Sequence, residues 1–230
     1  MSKHLLLLHG ALGTQQQLIP LANLVKEQFT VHYLNFEGHG GRASSATIFS
    51  IDLFVENVLQ FLQEQQLDSV AIFGYSMGGY VALRLAQQHP QLVDKIITLG
   101  TKFDWSVEAA SKEVKMLNPS IIEQKVPKFA TQLQKAHAPN DWKLLLDKTA
   151  QMMLHLAHES KLTTQDLEQI QQEVLIGIGS LDNMVGVAES EQAATALPNA
   201  QLQLIEGFYH PLEKNDLQQL VPLIRNFVGS

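Results

Sequence analysis

Short, wholly apolar runs alternate along this chain with longer stretches of helical periodicity. Leu5 to Leu8 is four consecutive leucines. A run that short, with no polar alternation, suits a strand buried on both faces, as in a parallel sheet. A polar, helix-like segment follows (Gln15 to Gln28), then a second strand from Thr30 to Phe36 that runs into the glycine-rich EGHGGR. Ile51, Phe54, Val55, Val58, Leu59 and Leu62 recur at helical spacing. Val70 to Phe73 reads as the next buried strand and Tyr80 to Gln88 as the next helix. His89-Pro90 stops that helix, because the residue before proline is pushed out of the α region. Lys95 to Leu99, Val174 to Ile178 and Gln201 to Ile205 complete six strands, and a closing helix runs from Asp216 to Val228.

Strands that alternate with helices across short loops predict an α/β fold, a mainly parallel sheet of about six strands flanked by helices. The alternation breaks once. Between Leu99 and Val174 the periodicity is helical and no strand is evident. A structureless loop of that length is improbable. A helical insertion over 101–171 is expected, with a core built from 1–100 and 172–230.

Charge and composition narrow the function classes. The chain of 230 residues carries a formal net charge of -7, which argues against a nucleic-acid partner, since phosphate binding needs a concentrated basic surface. There is no cysteine, so disulfides, thiolate zinc sites and cysteine nucleophiles are excluded. The four leucines of MSKHLLLLHG are too few for a secretory or membrane segment. A cytoplasmic protein without a membrane partner, monomeric or homodimeric, is therefore expected.

The chemistry begins at Gly74-Tyr75-Ser76-Met77-Gly78. This is G-x-S-x-G after a buried strand and before a helix, a turn so tight that backbone fills the space of the flanking side chains and the central serine stands exposed above the sheet. Serine needs a base, and the base an orienting acid. The loop GSLDNMV follows the fifth strand and supplies Asp182; GFYHPLEK follows the sixth and supplies His210. All three residues fall at the carboxyl edge of the sheet, where open α/β folds bind ligands. Asp104, after the fourth strand, is a rival acid. Oxyanion donors are expected at the Met77 amide and, in the loop HGALG after the first strand, at the Ala11 amide, with Leu12 as the fallback.

Taken in order, HGALG, FEGHGGRAS, GYSMGG, GSLDNMV and GFYHPLE resemble the motifs of the α/β-hydrolase superfamily, of the serine-nucleophile, helical-cap type. The resemblance spans roughly residues 4–100 and 172–228. It implies a triad of Ser76, His210 and Asp182, and it implies that 101–171 form a cap over the pocket. Two departures stand out. The family usually places an antiparallel hairpin before the strand ending in His-Gly, so a trimmed sheet is expected. The family's GHG-x-S style turn here reads Gly38-His39-Gly40-Gly41-Arg42-Ala43-Ser44, and His39 within it is read as a structural loop histidine.

The implied reaction is acyl transfer to Ser76 and hydrolysis of a small ester-like or thioester-like substrate. A cofactor-free lyase, a carbon–carbon bond hydrolase or a perhydrolase would use the same triad, and a non-catalytic small-molecule binding protein would share the fold. Leu12, Trp105, Trp142 and Met153 are the candidate pocket residues. His155 and His158 share a helix face but lack a third ligand at recognisable spacing, so no metal is expected. No cofactor motif occurs.

Overall fold

The computed structural model describes residues 3–229. Six strands form one sheet: β1 (Lys3–Leu8), β2 (Phe29–Tyr33), β3 (Val70–Tyr75), β4 (Val93–Leu99), β5 (Glu173–Leu181) and β6 (Ala200–Tyr209). Their spatial order is β2-β1-β3-β4-β5-β6, and all five pairings are parallel.

The leucine run of β1 shows why the strands read as unbroken apolar stretches. Leu6 and Leu8 belong to one core cluster and Leu5 and Leu7 to the other. Alternate side chains point to opposite faces of a strand, and here both faces are covered. One face carries α2 (Ile51–Glu64), α3 (Met77–Gln88) and α9 (Val187–Ala196); the other carries α1 (Ile19–Val25) and α10 (Leu220–Gly229). Each of the four leucines is fully buried, and each such burial is worth about 2 kcal/mol against an exposed side chain. A polar residue at either parity would lose that and leave a polar group unsatisfied.

The order of strands places the site. From β1 the sheet grows outward to β2, then the chain returns to lay β3 on the other side of β1. The chain leaves β1 for α1 on one face and β3 for α3 on the other, and such a reversal places the ligand crevice of an open α/β sheet at the carboxyl ends of its strands.

Element boundaries depart from expectation in several places. Strand β2 ends at Tyr33 instead of Phe36, and α10 begins at Leu220 instead of Asp216. The expected helix over Gln15 to Gln28 is a short 3-10 turn, Gln15–Gln17, followed by α1, which has Pro20 in its first turn. Helix α3 starts at Met77, directly after Ser76. Strands β5 and β6 run longer, to Leu181 and Tyr209, so that Asp182 and His210 immediately follow them.

Between β4 and β5 lie α4 (Val107–Lys115), α5 (Pro119–Lys125), α6 (Pro127–His137), α7 (Trp142–His155) and α8 (Thr164–Glu168). Side-chain oxygens cap four of the five at their N-termini: Ser106, Asn118, Asp141 and Thr163. Each satisfies an amide that the helix itself leaves unpaired. Among the described residues, no helix is long and apolar enough to cross a membrane.

Candidate active site

Ser76 has φ 52 and ψ −117, a backbone conformation that costs a non-glycine residue about 1–3 kcal/mol and persists only where its surroundings hold it. The hold is visible. Ser76 N–H donates to Leu99 O at 2.8 Å, and the Thr101 hydroxyl donates to Ser76 O at 2.9 Å. A Cβ on Gly74 would lie 2.4 Å from Gly79 N, and one on Gly78 would lie 2.4 Å from Leu8 O. Both flanking positions are therefore closed to any side chain. Among the described residues the Ser76 hydroxyl has no hydrogen-bond partner, so it is free to turn.

His210 Nδ1 donates to Asp182 Oδ2 at 2.8 Å, which leaves the Nε2 lone pair open. The other carboxylate oxygen, Oδ1, accepts from the Met184 and Val185 amides, each at 2.9 Å. Burial alone would raise the carboxyl's pKa. The His210 hydrogen bond and charge, with the two amides, outweigh it and hold Asp182 below the ordinary value of 3.8. The buried Tyr75 hydroxyl donates to His210 O at 2.7 Å and ties the histidine loop to the end of β3. Gly100 adopts φ +59, and a Cβ there would lie 3.1 Å from Asp182 Oδ2 and 3.2 Å from His210 Nδ1. Tyr75, Gly100 and Thr101 were not singled out from the sequence. The signal was present in LGTK, where a glycine and a threonine follow a buried strand directly.

The rival acid lies elsewhere. Asp104 is exposed; its Oδ1 accepts from Ser106 N–H at 3.0 Å, and its own amide donates to Glu189. It shapes the entry to α4.

The loop after β1 presses against the turn at Ser76, since a Cβ on Gly10 would lie 3.1 Å from Ser76 Cβ. The loop closes by Gly13 N–H donating to Gly10 O at 3.1 Å, with Leu12 at φ 58. Among the described residues no acceptor takes the amides of Met77 or Ala11. His9 donates from Nδ1 to Gly10 O at 2.8 Å and accepts from Phe36 N–H at 3.2 Å, so it is a structural brace, and burial lowers its pKa to about 4. His39 is fully buried, donates to Glu37 O and sits among the rings of His9, Phe49 and His137.

Ser76, Met77, Ala11 and His210 open onto one cavity of about 750 Å³. Leu12, Trp105 and Met153 line it, together with Met116, Phe129 and Met152. Trp142 does not. It is buried against Ile122, Leu133 and Leu146, in a small cluster that joins α5, α6 and α7. As the first residue of α7 it faces the neighbouring helices, which periodicity alone does not distinguish from facing a pocket. Lys102 and Glu113 add a charged pair to the wall, 3.7 Å apart. His155 pairs with Glu159 at 3.8 Å, and among the described residues no three metal-ligating side chains cluster.

A model of the family described as serine aminopeptidase, S33, matches residues 1–218. This chain belongs to that family of α/β hydrolases. A putative esterase/lipase from Haemophilus influenzae is 27% identical over 95 residues, which is 41% of this chain and 33% of that protein. The chain thus matches about a third of the length of that curated relative. Solved structures align over nearly the whole of this α/β hydrolase. A structure reported in work on the carboxylesterases of Nitrososphaera gargenis aligns with TM-score 0.80 and 18% identity, over 99% of this chain and 90% of that one. The 2-hydroxy-6-oxo-6-phenylhexa-2,4-dienoate hydrolase of Rhodococcus sp. strain RHA1 aligns with TM-score 0.80 and 17% identity, over 100% and 91%. At such identities the likeness establishes the fold alone.

Proposed function

We propose that this chain is a serine hydrolase that cleaves small, apolar esters or thioesters through an acyl-enzyme. One observation carries the reading: a serine on a strained turn, a histidine already hydrogen-bonded to a buried carboxylate, and two unoccupied amides all open onto a single cavity. Ser76 is the nucleophile, His210 the base and Asp182 the acid that holds the imidazole in one tautomer. With Nδ1–H engaged by Asp182, Nε2 accepts the Ser76 proton as Oγ attacks the carbonyl carbon. The oxyanion is received by the Met77 and Ala11 amides, with the N-terminus of α3 behind it. His210 then returns the proton to the leaving alkoxide or thiolate, and water releases the acid by the same route.

The helical segment 101–171 acts as the cap in this reading and selects substrate. Leu12, Trp105 and Met153 furnish an apolar wall for the acyl group. Hydrolysis of p-nitrophenyl butyrate by wild type and Ser76→Ala tests the proposal, with loss of turnover expected in the variant. Equal rates in the two proteins would sink it. A fluorophosphonate probe should label Ser76, and labelling of another residue would move the nucleophile.

A further inference from the structure

His137 ends α6, far from Ser76 in sequence, and is completely buried. Gly40 N–H donates to its Nδ1 at 3.0 Å, so the ring proton resides on Nε2 and donates to Leu12 O, also at 3.0 Å. Both ring nitrogens are thus used, each in a single role. One contact ties the ring to the Gly38–Arg42 loop and the other to the tip of the loop that carries Ala11. Next to it, Asn140 donates to Gly38 O at 3.1 Å and to Arg42 O at 2.8 Å. Burial keeps His137 below the ordinary histidine value, which favours the neutral ring that these contacts require.

The loop needs such a hold. Leu12 is one of three described non-glycine residues with positive φ; the others are Ser76 and Gln66. Its conformation is unfavourable for an L residue, and a strained turn keeps its shape only when several contacts agree on it. Gly13 N–H and His9 Nδ1 both donate to Gly10 O and so secure the base of the turn. At the tip, the contact given to Leu12 O is His137. The amide of Ala11 lies between these two anchors.

We propose that His137 is a positioning residue for the oxyanion hole: from the helical insertion, its Nε2–H clamps Leu12 O and so aims the Ala11 amide at the reacting carbonyl oxygen. This inference rests on the serine-hydrolase reading of the site. Docking of the insertion and assembly of the oxyanion hole then become one event, because the same side chain belongs to both. A hydrogen bond aimed at the transition state affects kcat more than KM.

The test is steady-state hydrolysis of p-nitrophenyl butyrate by His137→Ala, His137→Asn and His137→Gln, with melting temperatures measured alongside. Glutamine is long enough to place an amide N–H where Nε2 stood; asparagine carries the same amide on a chain one methylene shorter, so it reaches only the Nδ1 position, where its carbonyl oxygen can accept from Gly40 N–H. Ala and Asn should lower kcat about tenfold or more, with KM within about twofold, since loss of one oxyanion donor outright costs 10²–10³. Gln should recover kcat to within about threefold of wild type. Rates of fluorophosphonate labelling at Ser76 should follow the same order. Wild-type kcat in His137→Asn would overturn the clamp, as would a rise in KM alone. So would equal loss in all three variants in step with melting temperature, which marks mere support of the fold. Ser76→Ala separates the layers. If it abolishes turnover while His137→Asn keeps wild-type kcat, the clamp fails and the serine mechanism stands; if Ser76→Ala is as active as wild type, the mechanism fails and takes the clamp with it.

Discussion

Gly100→Ala isolates how tightly the Asp182–His210 pair is packed. The residue follows β4 at φ +59, and its added Cβ would sit 3.1 Å from Asp182 Oδ2 and 3.2 Å from His210 Nδ1. Two costs arise. Holding an L residue in the left-handed region costs about 1–2 kcal/mol. The Asp182 and His210 atoms must also give by a few tenths of an ångström, in a pair joined by a 2.8 Å hydrogen bond. Gly207→Ala provides the matched control. Gly207 has φ +71, and a Cβ there meets nothing within 4 Å, so that variant incurs the backbone cost alone. Thermal unfolding should show about 1–2 kcal/mol lost in Gly207→Ala and about 1 kcal/mol more in Gly100→Ala. A misplacement of about 1 Å can cost about 10² in rate, so a shift of tenths should lower kcat/KM on p-nitrophenyl butyrate about 3- to 10-fold in Gly100→Ala. Gly207→Ala should keep wild-type activity. Equal activity in the two variants, per folded molecule, would refute the claim that Gly100 is required by the Asp182–His210 contact.

Asp182→Asn should lower kcat about 10³-fold or more by removing the acceptor that fixes the His210 tautomer, whereas Asp104→Asn should stay within about twofold; the reverse ranking in the same ester assay would relocate the acid. Tyr75→Phe removes the hydrogen bond to His210 O and should destabilise the fold by about 1–2 kcal/mol in denaturant titration, with a several-fold fall in kcat; an unchanged midpoint would contradict that contact. Acid should weaken the fold through the buried histidines, His9, His39 and His137, whose pKa values lie below the ordinary 6.5. Below 6.5 the unfolded chain takes up protons that the folded chain refuses, so this stability is fully present above 6.5 and is lost as pH falls toward the folded values. For His9, lowered to about 4, the loss between pH 7 and 4 is about 3 kcal/mol. Calorimetric melting temperatures should therefore fall by about 5–10 °C over that range, and a flat profile would show that the imidazoles are not refused protons.

Much of the fold was legible because its strands are buried on both faces. Leu5 to Leu8 and Val70 to Phe73 carry no polar position, and that pattern leaves few alternatives to a covered parallel sheet. The turn at Ser76 was legible because its glycines answer to a local steric requirement, and Asp182 and His210 because each lies in a loop a few residues beyond a buried apolar run; that β5 and β6 extend right up to them was not. Boundaries were less so. Tyr80 reads as the start of a helix because its first turn, Met77 to Gly79, lacks an apolar period, yet that turn is the helix N-terminus facing the site.

Residues whose role depends on a partner distant in sequence were not legible. Gly100 is an ordinary glycine until Asp182 and His210 arrive beside it. Trp142 and Trp105 are equally bulky and equally plausible on a helical face; packing sends one into the interior of the α5–α7 cluster and the other into the cavity wall. His137 reads as a helix-end histidine, and only its two partners, Gly40 and Leu12, give it a direction. The sequence by itself determined the parallel sheet, the tight turn at Ser76 and the order of Ser76, Asp182 and His210 along the chain, because each follows from contacts within a few residues or from a strand's own burial. Tertiary structure alone decided which side chains face the cavity and what braces the loops, because those depend on distances between segments about a hundred residues apart.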